Sequence, residues 1–303
     1  MKLTQKTKRL LFYIAMITLP LIQFCIFYIG VNINSILISF KSYQFVDGVY
    51  VETWTGFENF KNVIHDIMFD SLGLTALANS LYLWLAGLGT MFLSLIFSFY
   101  IVKKMPGSEL FKVLLFLPSI IPVMVSSIVF NFFVERAVPD VLLKLFQIKI
   151  TPPLSNLSTI FPSMVLFTVW CGFGTNVLMY VGAISRIPVE ITEYVQIDGA
   201  SKMREFFSIT LPLIFPTIST FLVIGIAGIF TNQANLYNFF QYQADRSTYT
   251  LGYWMFVLIA EKSSNLTSYP YAAAMGVLLA MIAAPVTLVV RWLLEKFGPT
   301  TSY

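Results

Sequence analysis

The chain has 303 residues, of which 57% are hydrophobic and only 11% charged, with a mean hydropathy of +0.77. That balance excludes an ordinary soluble domain. The net charge of +4 comes without a basic stripe interleaved with aromatics, so it points to no nucleic-acid partner.

The expected fold is all-α and polytopic, with the lipid bilayer as its solvent. Six runs have the apolar length that a bilayer core of about 17 to 25 residues demands: Leu10–Val31, Leu81–Val102, Val113–Phe133, Ile160–Ile184, Leu213–Phe230 and Tyr271–Val290. The first follows Lys2, Lys6, Lys8 and Arg9. It is read as a retained span, since it exceeds a signal h-region and Gly30-Val31-Asn32 is a poor cleavage site. Between the first two spans, His65 lies near Asp66 and Asp70 and reads as a solvated surface histidine. Leu251–Ala260 is apolar but too short to cross, and is expected to be a re-entrant or interfacial helix. The implied division is residues 1–73 for the first span and external loop, 74–296 for a core, and 297–303 for a short tail.

Twelve of the 19 basic residues fall on one side when both ends are placed there, while most acids fall on the other. The positive-inside rule then puts both termini and the 185–212 loop in the cytoplasm.

That loop is a charged island between apolar runs. Pro188 suits the first turn of a short helix through Ile197, Gly199 allows a left-handed turn, a second short helix follows, and Pro212 marks re-entry. On the second helix Met203, Phe206, Phe207 and Leu211 form one apolar ridge at helical spacing; Ile191 and Val195 form a smaller one on the first. Glu193 and Asp198 are placed to cap amides or to pair with basic residues of a partner. A loop resting on lipid headgroups is the duller reading, disfavoured because four acids outweigh three basics there.

Glu193, Gly199, Ile209, Leu211 and Pro212 also sit at the spacing E-A-A-x3-G-x9-I-x-L-P, which resembles the cytoplasmic coupling loop of ABC importer permeases. The likeness extends from about Leu10 to Lys296: Thr55–Phe60 (TGFENF), Asn79-Ser80 opening the second span, Phe111–Phe133 with Pro118 and Pro122, and Tyr269–Leu279 (YPYAAAMGVLL) all resemble the first permease of maltose and glycerol-phosphate importers. Two departures stand out. Tyr194-Val195 replaces Ala-Ala in the motif, and Gln241–Tyr249 replaces a glycine-rich turn after the fifth span. The resemblance implies a coupling role for Glu190, Glu193, Tyr194, Asp198, Gly199, Ala200, Met203, Phe206, Phe207, Ile209, Leu211 and Pro212. It also implies a second homologous permease subunit, two ATP-binding subunits that hold the ATP and magnesium ion, and an extracellular or lipid-anchored solute-binding protein.

The chain itself carries no cofactor signature. The pattern G-x4-G-K-[ST] is missing, so ATP hydrolysis must come from another polypeptide. Cys25 and Cys171 lie in spans and read as small apolar residues. An ion-coupled secondary transporter or a channel subunit is the competing class. The lack of ionisable side chains in the span cores argues against ion coupling. Neutral polar residues suited to a translocation path are Asn131, Asn176, Asn232, Gln233, Asn235, Tyr237 and Asn238, with ring faces at Phe173, Tyr180 and Phe239. Such a lining fits a sugar or oligosaccharide, whereas a phosphorylated solute would want fixed positive charge. The duller reading is that the amides bond neighbouring helices.

Overall fold

The computed structural model describes residues 4–260 and 266–299, and they separate into two compact units. The smaller comprises residues 4–65, 258–260 and 266–279. Its first element is a long helix, α1 (Gln5–Ile38), opened by Thr4, whose hydroxyl accepts from the Thr7 amide at 3.3 Å. A π-helical stretch runs through Phe24–Gly30, and none of the helix's residues is buried.

The chain then forms an antiparallel hairpin, β1 (Lys41–Val46) and β2 (Val49–Trp54), in the register Val46↔Val49 to Lys41↔Trp54. Its two-residue turn is Asp47-Gly48, both at positive φ (51° and 82°), the backbone that Asp-Gly favours in tight hairpins. Apart from this hairpin the all-α expectation holds among the described residues. Asn59 clamps the hairpin base by donating to the carbonyls of Ser39 and Lys41 at 2.9 and 2.8 Å. Phe40 packs on Trp54, Phe57 and Phe60. Helix α2 (Glu58–Phe69) leads out of this region.

The larger unit, residues 66–257 and 280–299, is built on α3 (Ser71–Val102), a 32-residue helix of about 48 Å. Helix α4 (Ser108–Ile120) starts after Gly107, at φ 80°. It stops at Ile121, which is extended before Pro122 (ψ 135°) because a residue preceding proline is pushed out of the helical region. The chain turns by 108° there into α5 (Val123–Phe146). The span expected over Val113–Phe133 is therefore sharply bent at Ile121-Pro122. Helix α6 (Leu157–Ile184) is capped by Asn156, which accepts from the Ser158 amide at 3.1 Å.

Two contacts fix α6 among its neighbours. Ser98 of α3 donates to Val177 O at 3.0 Å. Against α4, Gly174 comes so close that a Cβ would lie 2.2 Å from Leu115 O. Glycine there is a packing requirement.

Two short helices follow, α7 (Val189–Ile197) and α8 (Lys202–Leu213), the second continuing through a π-helical stretch at Phe206–Thr210. A bend of 70° separates α8 from α9 (Phe215–Ala227). Pro212 thus lies inside α8, and the turn comes at Ile214, where α9 begins with Phe215-Pro216. Helix α10 (Leu236–Phe240) is short. In α11 (Leu251–Ala260), Leu251, Gly252, Tyr253, Trp254 and Val257 are buried. The last helix is α12 (Leu266–Phe297). Among the described residues, four helices are long and apolar enough to cross a membrane, or up to six if each bent pair counts as one span.

Candidate coupling loop and path cavity

The 185–212 loop folds as two helices around a left-handed corner. Gly199 stands at φ 68°, and Ala200 N donates back to Val195 O at 3.2 Å, the six-to-one bond of a Schellman end. Ser201 opens α8 by accepting from Arg204 N at 3.3 Å. Glu190, Glu193, Asp198 and Gly199 are exposed, while Ala200, Ile209 and Pro212 are half-buried.

The four-residue ridge expected on the second helix is divided. Phe206 is 3% exposed and Phe207 49%. Phe206 joins Leu95, Phe99, Tyr180, Ile184, Ile214 and Ile218 in a core where α3, α6, α8 and α9 meet, with Leu211 packed against it. Met203 (69% exposed) and Phe207 stay outside. Neighbouring side chains on a helix point about 100° apart, so Phe206 turns into the core while Phe207 stays out; the stretch from Phe206 to Thr210 is π-helical. On α7 the outward apolar residues are Val189, Tyr194 and Ile197 (64%, 70% and 80% exposed), with Ile191 and Val195 half-buried. The loop therefore presents Tyr194, Ile197, Met203 and Phe207 outward and anchors itself inward through Phe206.

Glu205, beside Phe206, is also buried and forms an ion pair with Lys103 at the end of α3. The Lys103 ammonium lies 5.7 Å from the Phe99 ring centroid.

Deeper in the larger unit, a cavity of about 230 Å³ is bounded by Ser80, Leu83, Trp84, Gly87, Leu88 and Met91 of α3. Asn176 and Tyr180 of α6, Phe221, Ile224 and Gly225 of α9, and Asn232 close it. Trp84 Nε1 and Tyr180 Oη are buried here without hydrogen-bond partners. Of the expected path residues, Asn176, Asn232 and the ring of Tyr180 face this space. Asn131 and Asn238 line a different cavity of about 350 Å³ with Ser127 and Arg136, so a positive charge lies beside amides expected to make a neutral lining.

The remaining polar residues mostly hold the chain. Asn235, at φ 57°, donates to Thr168 Oγ1 at 3.0 Å and accepts from Asn238 at 3.3 Å. Gln233 O accepts from Leu236 N at 3.0 Å. Tyr237 packs its ring on Tyr242 and Phe256. Asn232 Oδ1 accepts from Ala234 N at 3.0 Å, so it is both a lining residue and a turn residue.

The segment that replaces the glycine-rich turn is pinned as well. Asn79 donates to the carbonyls of Ser247 and Tyr249, both at 2.9 Å, and Ser80 Oγ accepts from Leu251 N at 2.9 Å. Asp245 accepts from the Ser247 hydroxyl and amide at 2.5 and 2.9 Å, and these bonds hold its carboxyl below the usual range.

The model of one protein family, the inner membrane component of binding-protein-dependent transport systems, matches residues 91–303. The chain belongs to this family. It is a multi-pass membrane permease of an importer type whose energy comes from ABC ATPases. This permease is 26% identical over 190 residues to the arabinooligosaccharides transport system permease protein AraP of Bacillus subtilis, covering 62% of this chain and 60% of that one. It is 27% identical over 295 residues to the diacetylchitobiose uptake system permease protein NgcF of Streptomyces coelicolor, covering 90% and 79%. A chain of a bacterial alginate ABC transporter, crystallised with an alginate pentasaccharide-bound periplasmic protein, matches at a TM-score of 0.79 and 19% identity, covering 98% of this permease and 99% of that chain. That likeness establishes the shared fold.

Sequence reasoning missed Trp84 because an indole in an apolar run reads as membrane-interface belt. A signal was present: Ser80, Leu83, Trp84, Gly87, Leu88 and Met91 recur at one-face helical spacing, with two small residues that leave room beside the indole.

Proposed function

We propose that this permease is one of two paired pathway subunits of an ATP-driven importer for a sugar or oligosaccharide. It crosses the membrane six times with both ends in the cytoplasm. Two ATP-binding subunits dock on the 185–212 loop, and a solute-binding protein delivers solute from outside. ATP and magnesium ion are held by those subunits.

The observation that carries this reading is the two-sided loop. Its outward residues, Tyr194, Ile197, Met203 and Phe207, offer a soluble partner an apolar surface of the helix-in-groove kind. Its inward residue Phe206 is locked into the core formed with three other helices. A displacement of the loop is therefore transmitted to the helices around the cavity. The exposed carboxylates of Glu193 and Asp198 are free to meet basic groups of the partner.

The cavity supports the solute class. An unpaired indole N–H and phenol hydroxyl beside two amides match the hydroxyl-rich edge of a neutral sugar, and the rings offer apolar faces to its C–H surface. The relatives' names, arabinooligosaccharides and diacetylchitobiose, and the alginate-importing structure point to the same class.

The test is purification of the tagged permease in mild detergent, with mass spectrometry of its partners and ATPase assay. A second permease and a P-loop ATPase are expected in the eluate. Gly199→Asp, which forces a side chain into positive φ, and Glu193→Lys are expected to reduce solute-stimulated ATPase and uptake at least tenfold. Full activity in both variants, or recovery of the chain alone, overturns the proposal.

A further inference from the structure

We infer that the Lys103–Glu205 ion pair is a second route by which the loop drives the cavity, running through α3 rather than through α9. The inference rests on the importer reading and names two positioning residues for it.

Lys103 is the residue that ends α3, where the cation also faces the carbonyl end of the helix. Glu205 sits in the first part of α8, next to Phe206. Their side chains are 15% and 5% exposed. One turn before Lys103, Phe99 packs on Phe206 with ring centroids 5.1 Å apart. Two consecutive residues of α8 are thus gripped by two residues of α3 one turn apart, one contact apolar and one ionic.

The two contacts do different things. The tilted ring contact, with planes 58° apart, resists separation but allows sliding, because dispersion is weakly directional. A buried ion pair fixes register, since any shift leaves a desolvated charge without its partner. The pair therefore makes α3 follow the loop along the helix axis as well as across it.

Helix α3 is suited to carry that movement. It is continuous for 32 residues without an internal proline, and its far portion, from Met91 to Ser80, forms one wall of the cavity. From Lys103 to that wall is roughly 18 to 35 Å at the helical rise. The direct route from α8 into α9, by contrast, turns through 70° at Ile214.

The test uses the complex with its own ATPase and second permease, reconstituted in lipid, with Cys25 and Cys171 replaced by serine and Gly87→Cys in the cavity wall. The readout is the ATP-dependent change in labelling of that cysteine by a membrane-impermeant maleimide, measured beside ATPase activity. Lys103→Met and Glu205→Gln are expected to keep ATPase within about twofold while the ATP-dependent labelling change falls about tenfold. The charge-swapped double variant, Lys103→Glu with Glu205→Lys, is expected to restore it. An apolar double variant, Lys103→Leu with Glu205→Leu, leaves no orphan charge, so it is expected to assemble yet stay uncoupled.

Normal labelling in the single variants, full coupling in the apolar pair, or failure of the swap to restore coupling overturns the inference. Absence of any ATPase activity in the unaltered complex instead removes the importer reading itself.

Discussion

At the residue scale, two neighbouring phenylalanines have opposite assignments. Phe206 fills the core and Phe207 faces out, so truncating each separates stability from docking. Phe206→Ala is expected to cost about 3–5 kcal/mol, read as a lower unfolding temperature of the solubilised permease. Tyr194→Ala, at an exposed position, is expected to leave that temperature unchanged while weakening retention of the ATP-binding subunit in a pull-down. The sequence made the pair legible as apolar and helical, but not which one is inside. That choice depends on which side of α8 meets the core of α3, α6 and α9, a property of the neighbours. Gly199 was legible because a positive φ after a short helix nearly demands glycine. Trp84 was less so, and of Tyr180 only the ring face was legible, since burial without a hydrogen-bond partner is a property of the neighbours, not of the residue.

At the scale of elements, the apolar runs were readable from length and the bends were only half readable. Pro122 announces that Ile121 leaves the helix, yet the 108° turn depends on what α4 and α5 pack against. The Asp47-Gly48 turn between two short runs was a readable hairpin signal that the weight of apolar composition obscured. The segment at Gln241–Tyr249 shows how a departure from family pattern can be made good: the 3-10 turn Arg246–Thr248 is held by Asp245 from within and Asn79 from α3. Because the Asp245 carboxyl is held below the usual range by the Ser247 bonds, the ionised form favours the folded turn. That contribution is present above the ordinary aspartate range and is lost as pH falls through the depressed folded value. Hydrogen exchange of residues 244–250 is therefore expected to accelerate on acidification in the native permease. In Asp245→Asn it is expected to be faster at neutral pH and flat in this pH range.

At the scale of the whole molecule, hydropathy made the membrane class legible, because it is an average over many residues and so robust to local detail; the orientation expected from charge is a proposal. The expected topology has a direct check: single cysteines at Lys104 and Arg186 should react with an impermeant maleimide only after membranes are opened, and one at Asp47 should react in intact cells. The reverse pattern would invert the orientation. The path was the least legible part, because the amides of one short segment scatter: Asn232 turns to one cavity, Asn238 to another, and Asn235 to Thr168. The first helix carries a separate consequence. A helix with no buried residue, whose last turn lines a pocket with Ile259, Tyr269 and Ala272, leaves its earlier turns to lipid. It is free to partition into the bilayer while the rest is still being synthesised. The orientation it adopts then becomes the frame on which every later segment must insert.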